Sequence, residues 1–301
     1  MATGWPVVNE THHWPGLECE MSRWISIAIL ILVMNPAIGS DDPWDGAIDE
    51  EAFRKLHELR GDEAPATRGI EVQFGNTKGY LSLPEKMTEL RSAVIVFHEW
   101  WGLNTHIKHW ADRLATDGHV ALAVDLYGGK VAKNSREAMT LMREVKSTIA
   151  SRSIADAIRF VHRDERVRAD RVGTIGWCFG GTWSINAAMA HPGIDACVLY
   201  YGKTPADPQK LSAIGGSILA IFGKSDPSIP EQQIEAFRKG LKEAKVKHEI
   251  LLFEAGHAFA NPSSGRYVAE AAGKAWRQVR NFFTRELRTE KKAVERAQPD
   301  E

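Results

Sequence analysis

Six short apolar runs, at residues 93–97, 120–124, 172–175, 196–201, 218–222 and 250–253, limit how this chain can fold more than any other feature. Each is almost continuously hydrophobic instead of alternating, the pattern of strands buried on both faces of a sheet. Between them lie helical periods: Ile107, Trp110, Ala111 and Leu114 as far as Gly118; Ala138, Leu141, Met142 and Val145; Ile154, Ala157, Ile158 and Val161; Ile234, Phe237 and Leu241. Alternating strand and helix predicts an α/β fold, a mostly parallel central sheet with helices on both faces. Two strands at 70–74 and 80–83, joined at GNTKG, predict an antiparallel hairpin or meander ahead of it. A helix carrying Val268, Ala272, Trp276, Val279 and Phe283 closes it.

The amino-terminal part follows different rules. Met21-Ser-Arg-Trp leads into the apolar run 25–34 and then Asn35-Pro-Ala-Ile-Gly-Ser40, a basic segment, a hydrophobic core and a small-residue cleavage site. The pattern predicts export, periplasmic or extracellular, with cleavage after Gly39 and no stable membrane insertion afterwards. The run is shorter than the roughly 20 residues that span a bilayer, and an uncleaved anchor is the alternative. Residues 1–20 show no pattern and lie upstream of a Met that would itself open a signal. The division expected is therefore 1–39 extension and signal, 40–67 arm and linker, 68–287 one α/β domain, and 288–301 a charged tail. Formal charge moves from −1 for the 301-residue chain to +1 without 1–39. A chain so near neutral, with no basic face among its motifs, gives no reason to expect a nucleic-acid partner. The expected assembly is a monomer or dimer.

Chemistry enters at Gly176-Trp-Cys178-Phe-Gly-Gly181, which comes straight off an apolar run and opens the helical stretch GTWSINAAMA. A nucleophile elbow has this form: a reactive residue in a strained strand-to-helix turn, with small neighbours that let strand and helix approach. Cysteine stands where serine is usual, and a thiolate becomes accessible at a helix N-terminus or beside a histidine. The alternative is a buried cysteine in a glycine-rich turn; Cys197, in mid-strand in ACVLYY, is by contrast read as a core residue. A base and an orienting acid should follow at the carboxyl ends of later strands. Asp226, in IFGKSDPSIP, and His257, in LLFEAGHAFANP, meet that requirement. Asp195 and His248 sit at strand starts, and Asp125 precedes the nucleophile. The loop His98-Glu-Trp-Trp-Gly-Leu-Asn104, directly after the run 93–97, can supply one oxyanion N–H, and Phe179 the other. Glu99 is unexpected, because a carboxylate beside a thiol opposes its ionisation. It either faces solvent or controls when the thiol ionises. No metal is expected: HEWWG lacks the second histidine of a zinc HExxH, and the three cysteines lack paired spacing.

Taken together, HEWWGLN, DLYGG, GWCFGG, GKSDPSIP and EAGHAFANP resemble the dienelactone hydrolase family of α/β-hydrolases over roughly 68–283. The resemblance implies a carboxylic ester hydrolase of carboxymethylenebutenolidase type with Cys178 as nucleophile, His257 as base and Asp226 as orienting acid. It implies that Glu99 holds the resting thiol and is displaced by substrate, and that Trp100 and Phe179 N–H groups form the oxyanion hole. No cofactor is implied. Family members bind a substrate carboxylate through two arginines, at positions that here read Gly128 and Asn261, so neutral substrates are expected; Ala258 replaces a serine beside the histidine. Trp101, Tyr127 and Asn261 are the expected substrate-binding residues, with Trp177 either wall or core. The reading is an exported cysteine-dependent hydrolase of small esters or lactones acting through a thioacyl-enzyme. A thioesterase or acyltransferase with the same triad, or a non-catalytic redox-sensing module on the same fold, are the alternatives.

Overall fold

The computed structural model describes residues 66–87 and 91–287. The expected export signal, the arm and the charged tail fall outside these residues. Within them the strands are β1 Ile70–Phe74, β2 Thr77–Ser82, β3 Ser92–Phe97, β4 Val120–Val124, β5 Arg171–Trp177, β6 Ala196–Tyr200, β7 Ser217–Gly223 and β8 His248–Phe253. They form one sheet in the order β1-β2-β4-β3-β5-β6-β7-β8. The β1–β2 and β2–β4 pairings are antiparallel, and every pairing from β4 through β3 to β8 is parallel. The fold is thus the α/β-hydrolase arrangement expected, with the hairpin as an antiparallel edge. β2 begins three residues earlier than its apolar pattern, because the turn closes at Gly75.

The helices are α1 Thr105–Thr116, α2 Ser135–Glu144, α3 Ser147–Arg163, α4 Phe179–Ala190, α5 Pro208–Leu211, α6 Glu231–Glu243 and α7 Ala269–Leu287. Successive strand residues divide between two faces, as a pleated strand requires. Val94, Val96, Leu219 and Ile221 pack with Trp110 of α1 and Trp276, Val279 and Phe283 of α7. On the other face Ile95 and Phe97 meet Ile154 and Val161 of α3, while Ile218 and Ala220 meet Phe237 of α6. Burial on both faces explains why these strands read as continuous apolar runs. The four-residue helix α5, capped by Asp207 accepting from Gln209 N–H at 2.9 Å, carries no usable period and is missed by the sequence pattern.

The site's position follows from topology. From β3 the chain crosses through α1 to β4 on one side, whereas from β5 it crosses through α4 to β6 on the other. Right-handed crossovers running in opposite directions place α1 and α4 on opposite faces, opening a crevice at the carboxyl ends of β3 and β5. The loop 98–104 and Cys178 lie there.

Candidate active site

At the end of β5 the backbone of Cys178 adopts φ 54° and ψ −114°, a conformation that costs an L-residue about 1–3 kcal/mol and persists only where the surroundings enforce it. The enforcement is visible. Cys178 N–H donates to Tyr200 O at 3.0 Å, and α4 starts at the next residue. A Cβ on Gly176 would lie 2.2 Å from Gly180 O, and one on Gly180 would lie 2.2 Å from Phe97 O, so no side chain fits at either place. The local sequence is therefore that of an elbow, and Cys178 projects into the crevice between α4 and the loop after β3.

The later strands bring the partners. Asp226 follows β7 and His257 follows β8, and His257 Nδ1 lies 2.7 Å from Asp226 Oδ2. Asp226 is buried at 4 % exposure. Its other oxygen accepts from Ser228 N–H at 2.8 Å and from the Ser228 hydroxyl. With the carboxylate occupied in this way, Nδ1 carries the imidazole proton and Nε2 is left as an acceptor. The Tyr201 ring packs 5.0 Å from that of His257.

Glu99 is buried, not solvated: it is 7 % exposed, and its carboxylate accepts from Asn261 Nδ2. Burial pushes its pKa up to about 7, partly countered by the Asn261 amide. Burial first, and the Glu99 charge second, push the Cys178 thiol up to about 12; Phe179 N–H and the Lys203 charge pull the other way, while Asp226 adds to the rise. The resting Cys178 side chain is a neutral thiol. Asn261 thus serves as a clamp on Glu99 as well as a wall residue, its own Oδ1 held by Ser263 N–H at 2.9 Å.

A cavity of about 1250 Å³ joins these groups. Glu99, Cys178, Asp226, His257 and Asn261 all line it, and Trp100, Trp101, Phe179, Trp183, Met142 and Ile229 supply apolar wall. It exceeds the roughly 300–1,000 Å³ usual for small-molecule sites. Tyr127 lies elsewhere than expected. It is buried beneath the loop after β3, outside the cavity lining, with its hydroxyl donating to Trp100 O at 3.2 Å. Trp177 is core, packed against Trp110 and Tyr200. Asp195 pairs with Arg171 at the opposite edge of the sheet, and Asp125 caps its own loop by accepting from Tyr127 N–H at 2.8 Å.

Sequence reasoning missed Tyr201, Lys203 and Ser228. Tyr201 and Lys203 directly follow β6, so the strand-end rule that found Asp226 and His257 applies to them too. Ser228 stands two residues after an aspartate, the spacing of an Asx turn. Lys133, Lys203 and Arg266 line the cavity and form no ion pair among the described residues. Among the described residues there is no group of three or more His, Cys, Asp or Glu placed to hold a metal ion, and no helix is long and apolar enough to cross a membrane.

Comparison with known proteins places the chain by sequence and by fold. A Synechocystis protein named "Putative carboxymethylenebutenolidase" is 31% identical over 228 residues, covering 70% of this chain and 92% of its own. Two solved structures superpose with a TM-score of 0.67: one titled m3DLH, 26% identical over 73% of this chain and 98% of its own, and a dienelactone hydrolase-like promiscuous phosphotriesterase P91 from metagenomic libraries, 25% identical over 72% and 98%. The model of the dienelactone hydrolase family matches residues 77–287. The chain belongs to the dienelactone hydrolase family.

Proposed function

We propose that this hydrolase cleaves small carboxylic esters or lactones through a thioacyl-enzyme on Cys178, and that it does so after export. The reading rests above all on one observation: a cysteine in a strained elbow shares a cavity with a histidine whose Nδ1 is held by a buried aspartate. The chemistry runs in two halves. His257 Nε2 takes the Cys178 proton as sulfur attacks the carbonyl carbon. The carbon–sulfur bond forms, and the oxyanion receives the Trp100 and Phe179 N–H groups. The carbon–oxygen bond then breaks, and the alkoxide leaves with the proton from His257. Water, giving its proton to the same Nε2, cleaves the thioester, and the proton returns to sulfur. Glu99 contributes to the timing: its charge adds to burial in keeping the thiol neutral until an ester displaces it, and Asn261 holds the carboxylate in the resting site. No step calls for a cofactor.

A chromogenic ester tests this directly. A pre-steady-state burst and a mass increase on Cys178 equal to the acyl group are expected, and full turnover in Cys178→Ala would overturn the mechanism. A thioesterase or acyltransferase would show the same adduct but prefer thioester donors or non-water acceptors; a binding module would show neither burst nor turnover. Export is supported by the 21–40 pattern. Protein expressed with export machinery should begin near Ser40, and soluble cytosolic protein retaining Met1 or Met21 would count against it.

A further inference from the structure

We infer that His98, assisted by Tyr127, is the positioning residue of the oxyanion hole, fixing and polarising the Glu99–Trp100 peptide from behind. This rests on the reading of Trp100 N–H as an oxyanion donor. His98 is fully buried and does not line the cavity, so it does not reach substrate. Its two ring nitrogens have assigned partners. Leu126 N–H lies 3.1 Å from Nε2, and a backbone N–H can only donate, so Nε2 accepts. Nδ1 therefore carries the proton and donates it to Glu99 O at 2.6 Å.

That carbonyl belongs to the same peptide unit as Trp100 N–H. In a trans peptide the C=O and N–H point in opposite directions within one plane, so holding the first aims the second. Gly102 N–H adds a second bond to the same oxygen at 3.2 Å. Hydrogen bonds accepted at a carbonyl strengthen the donor at the other end of the amide. The next carbonyl is held as well, by the Tyr127 hydroxyl on Trp100 O. The peptides on both sides of the Trp100 Cα are thus pinned. The His98 ring also meets Tyr127 edge-on at 4.6 Å and stacks on Phe179 at 5.8 Å, the residue that supplies the second donor. One side chain touches both walls of the hole.

The experiment compares His98→Ala, His98→Asn and Tyr127→Phe with the unmodified protein by kcat and KM on a chromogenic ester. Inhibition by a trifluoromethyl ketone, which forms a tetrahedral adduct with the thiol, and the rate of Cys178 alkylation by iodoacetamide are read in parallel. His98→Ala should lower kcat by about 10²-fold, the loss expected for one oxyanion donor, with KM nearly constant. The ketone should weaken in proportion, and alkylation should stay unchanged, since it forms no oxyanion. His98→Asn, whose amide N–H occupies the Nδ1 position, should recover much of kcat. Tyr127→Phe should cost less, about tenfold. Near-normal kcat in folded His98→Ala would overturn the inference, as would equal losses in kcat, ketone binding and alkylation, or no recovery in His98→Asn. If the His98 variants fail to fold, unchanged kcat in Tyr127→Phe has the same force. Failure of the thioacyl reading looks different, because the unmodified protein itself would then show no acyl adduct.

Discussion

The two edges of the central sheet handle buried charge in opposite ways. At the amino edge, carboxylates meet cations and backbone donors: Asp195 takes Arg171 at 2.5 Å and Val172 N–H at 2.9 Å, and Glu286 takes Lys247 at 2.7 Å and the Ser217 hydroxyl at 2.9 Å. At the carboxyl edge, Glu99 and Asp226 are buried with an amide, a hydroxyl and an imidazole, and among the described residues neither is paired with a lysine or arginine. The first arrangement settles charge. The second leaves it able to act on a neighbouring proton, and the fold carries the cost of doing so.

Removing the proposed nucleophile or base should give the largest effect. Cys178→Ala and His257→Ala should each lower kcat/KM by at least about 10³-fold, roughly 4 kcal/mol of transition-state stabilisation. Cys197→Ala, in mid-strand beside the Ser184 hydroxyl, should stay close to normal in steady-state assays. Comparable losses from both cysteines would erase the distinction between edge and core.

Glu99→Gln is expected to separate stability from activity. A carboxyl raised from an ordinary value of 4.5 to about 7 is protonated in the folded protein and ionised in the unfolded chain between those limits. The unfolded state then binds fewer protons, so stability falls as pH rises through the window, by about 3 kcal/mol in all. Glu99→Gln should therefore raise the melting temperature at pH 8 and lose that advantage near pH 4. With the carboxylate gone, Cys178 should alkylate faster at pH 8 while ester turnover drops. A melting temperature unchanged at both pH values would mean that Glu99 is less desolvated than its burial implies.

Asp195→Ala should show the opposite behaviour. It strands a largely buried Arg171 and should cost about 2 kcal/mol in denaturant unfolding, with kcat unchanged. Reduced kcat without lost stability would show that the two edges are coupled. Smallest of all should be the preference within a matched pair, a neutral ester against its carboxylate-bearing analogue. The cavity's cations, Lys133, Lys203 and Arg266, are solvent-exposed, and their fields are screened by salt. The neutral member should match or exceed the acidic one in kcat/KM. A tenfold advantage for the acid, about 1.4 kcal/mol, would place a working cation in the pocket, with Lys203 the first to mutate.

Much of this architecture was legible in the chain because it is encoded locally. Burial on two faces writes itself into runs such as 93–97, and the elbow into two glycines that nothing else could replace. Asp226 and His257 were found because strand ends all face one crevice. What escaped depends on which way side chains turn once loops from distant strands meet. Asn261 and Glu99 are 162 positions apart, and no pattern in either segment announces their contact. Tyr127 reads as wall from a sequence position that flanks the elbow; the fold turns it inward, where its hydroxyl finds a carbonyl. Lys203 went unnoticed because its signal, a lone exposed lysine, is identical to that of a solvated surface residue.

The close approach of Gly176 and Gly180 to their neighbours has a consequence for how such a protein can change over generations. No graded path of side-chain enlargement leads away from those positions, since even one carbon would overlap backbone. The cavity wall is different: Met142, Trp183, Ile229 and Arg266 come from separate segments and can be exchanged one at a time. A lineage built on this plan can drift from one ester to another by small steps in its wall, while the turn that presents the sulfur is inherited whole or lost.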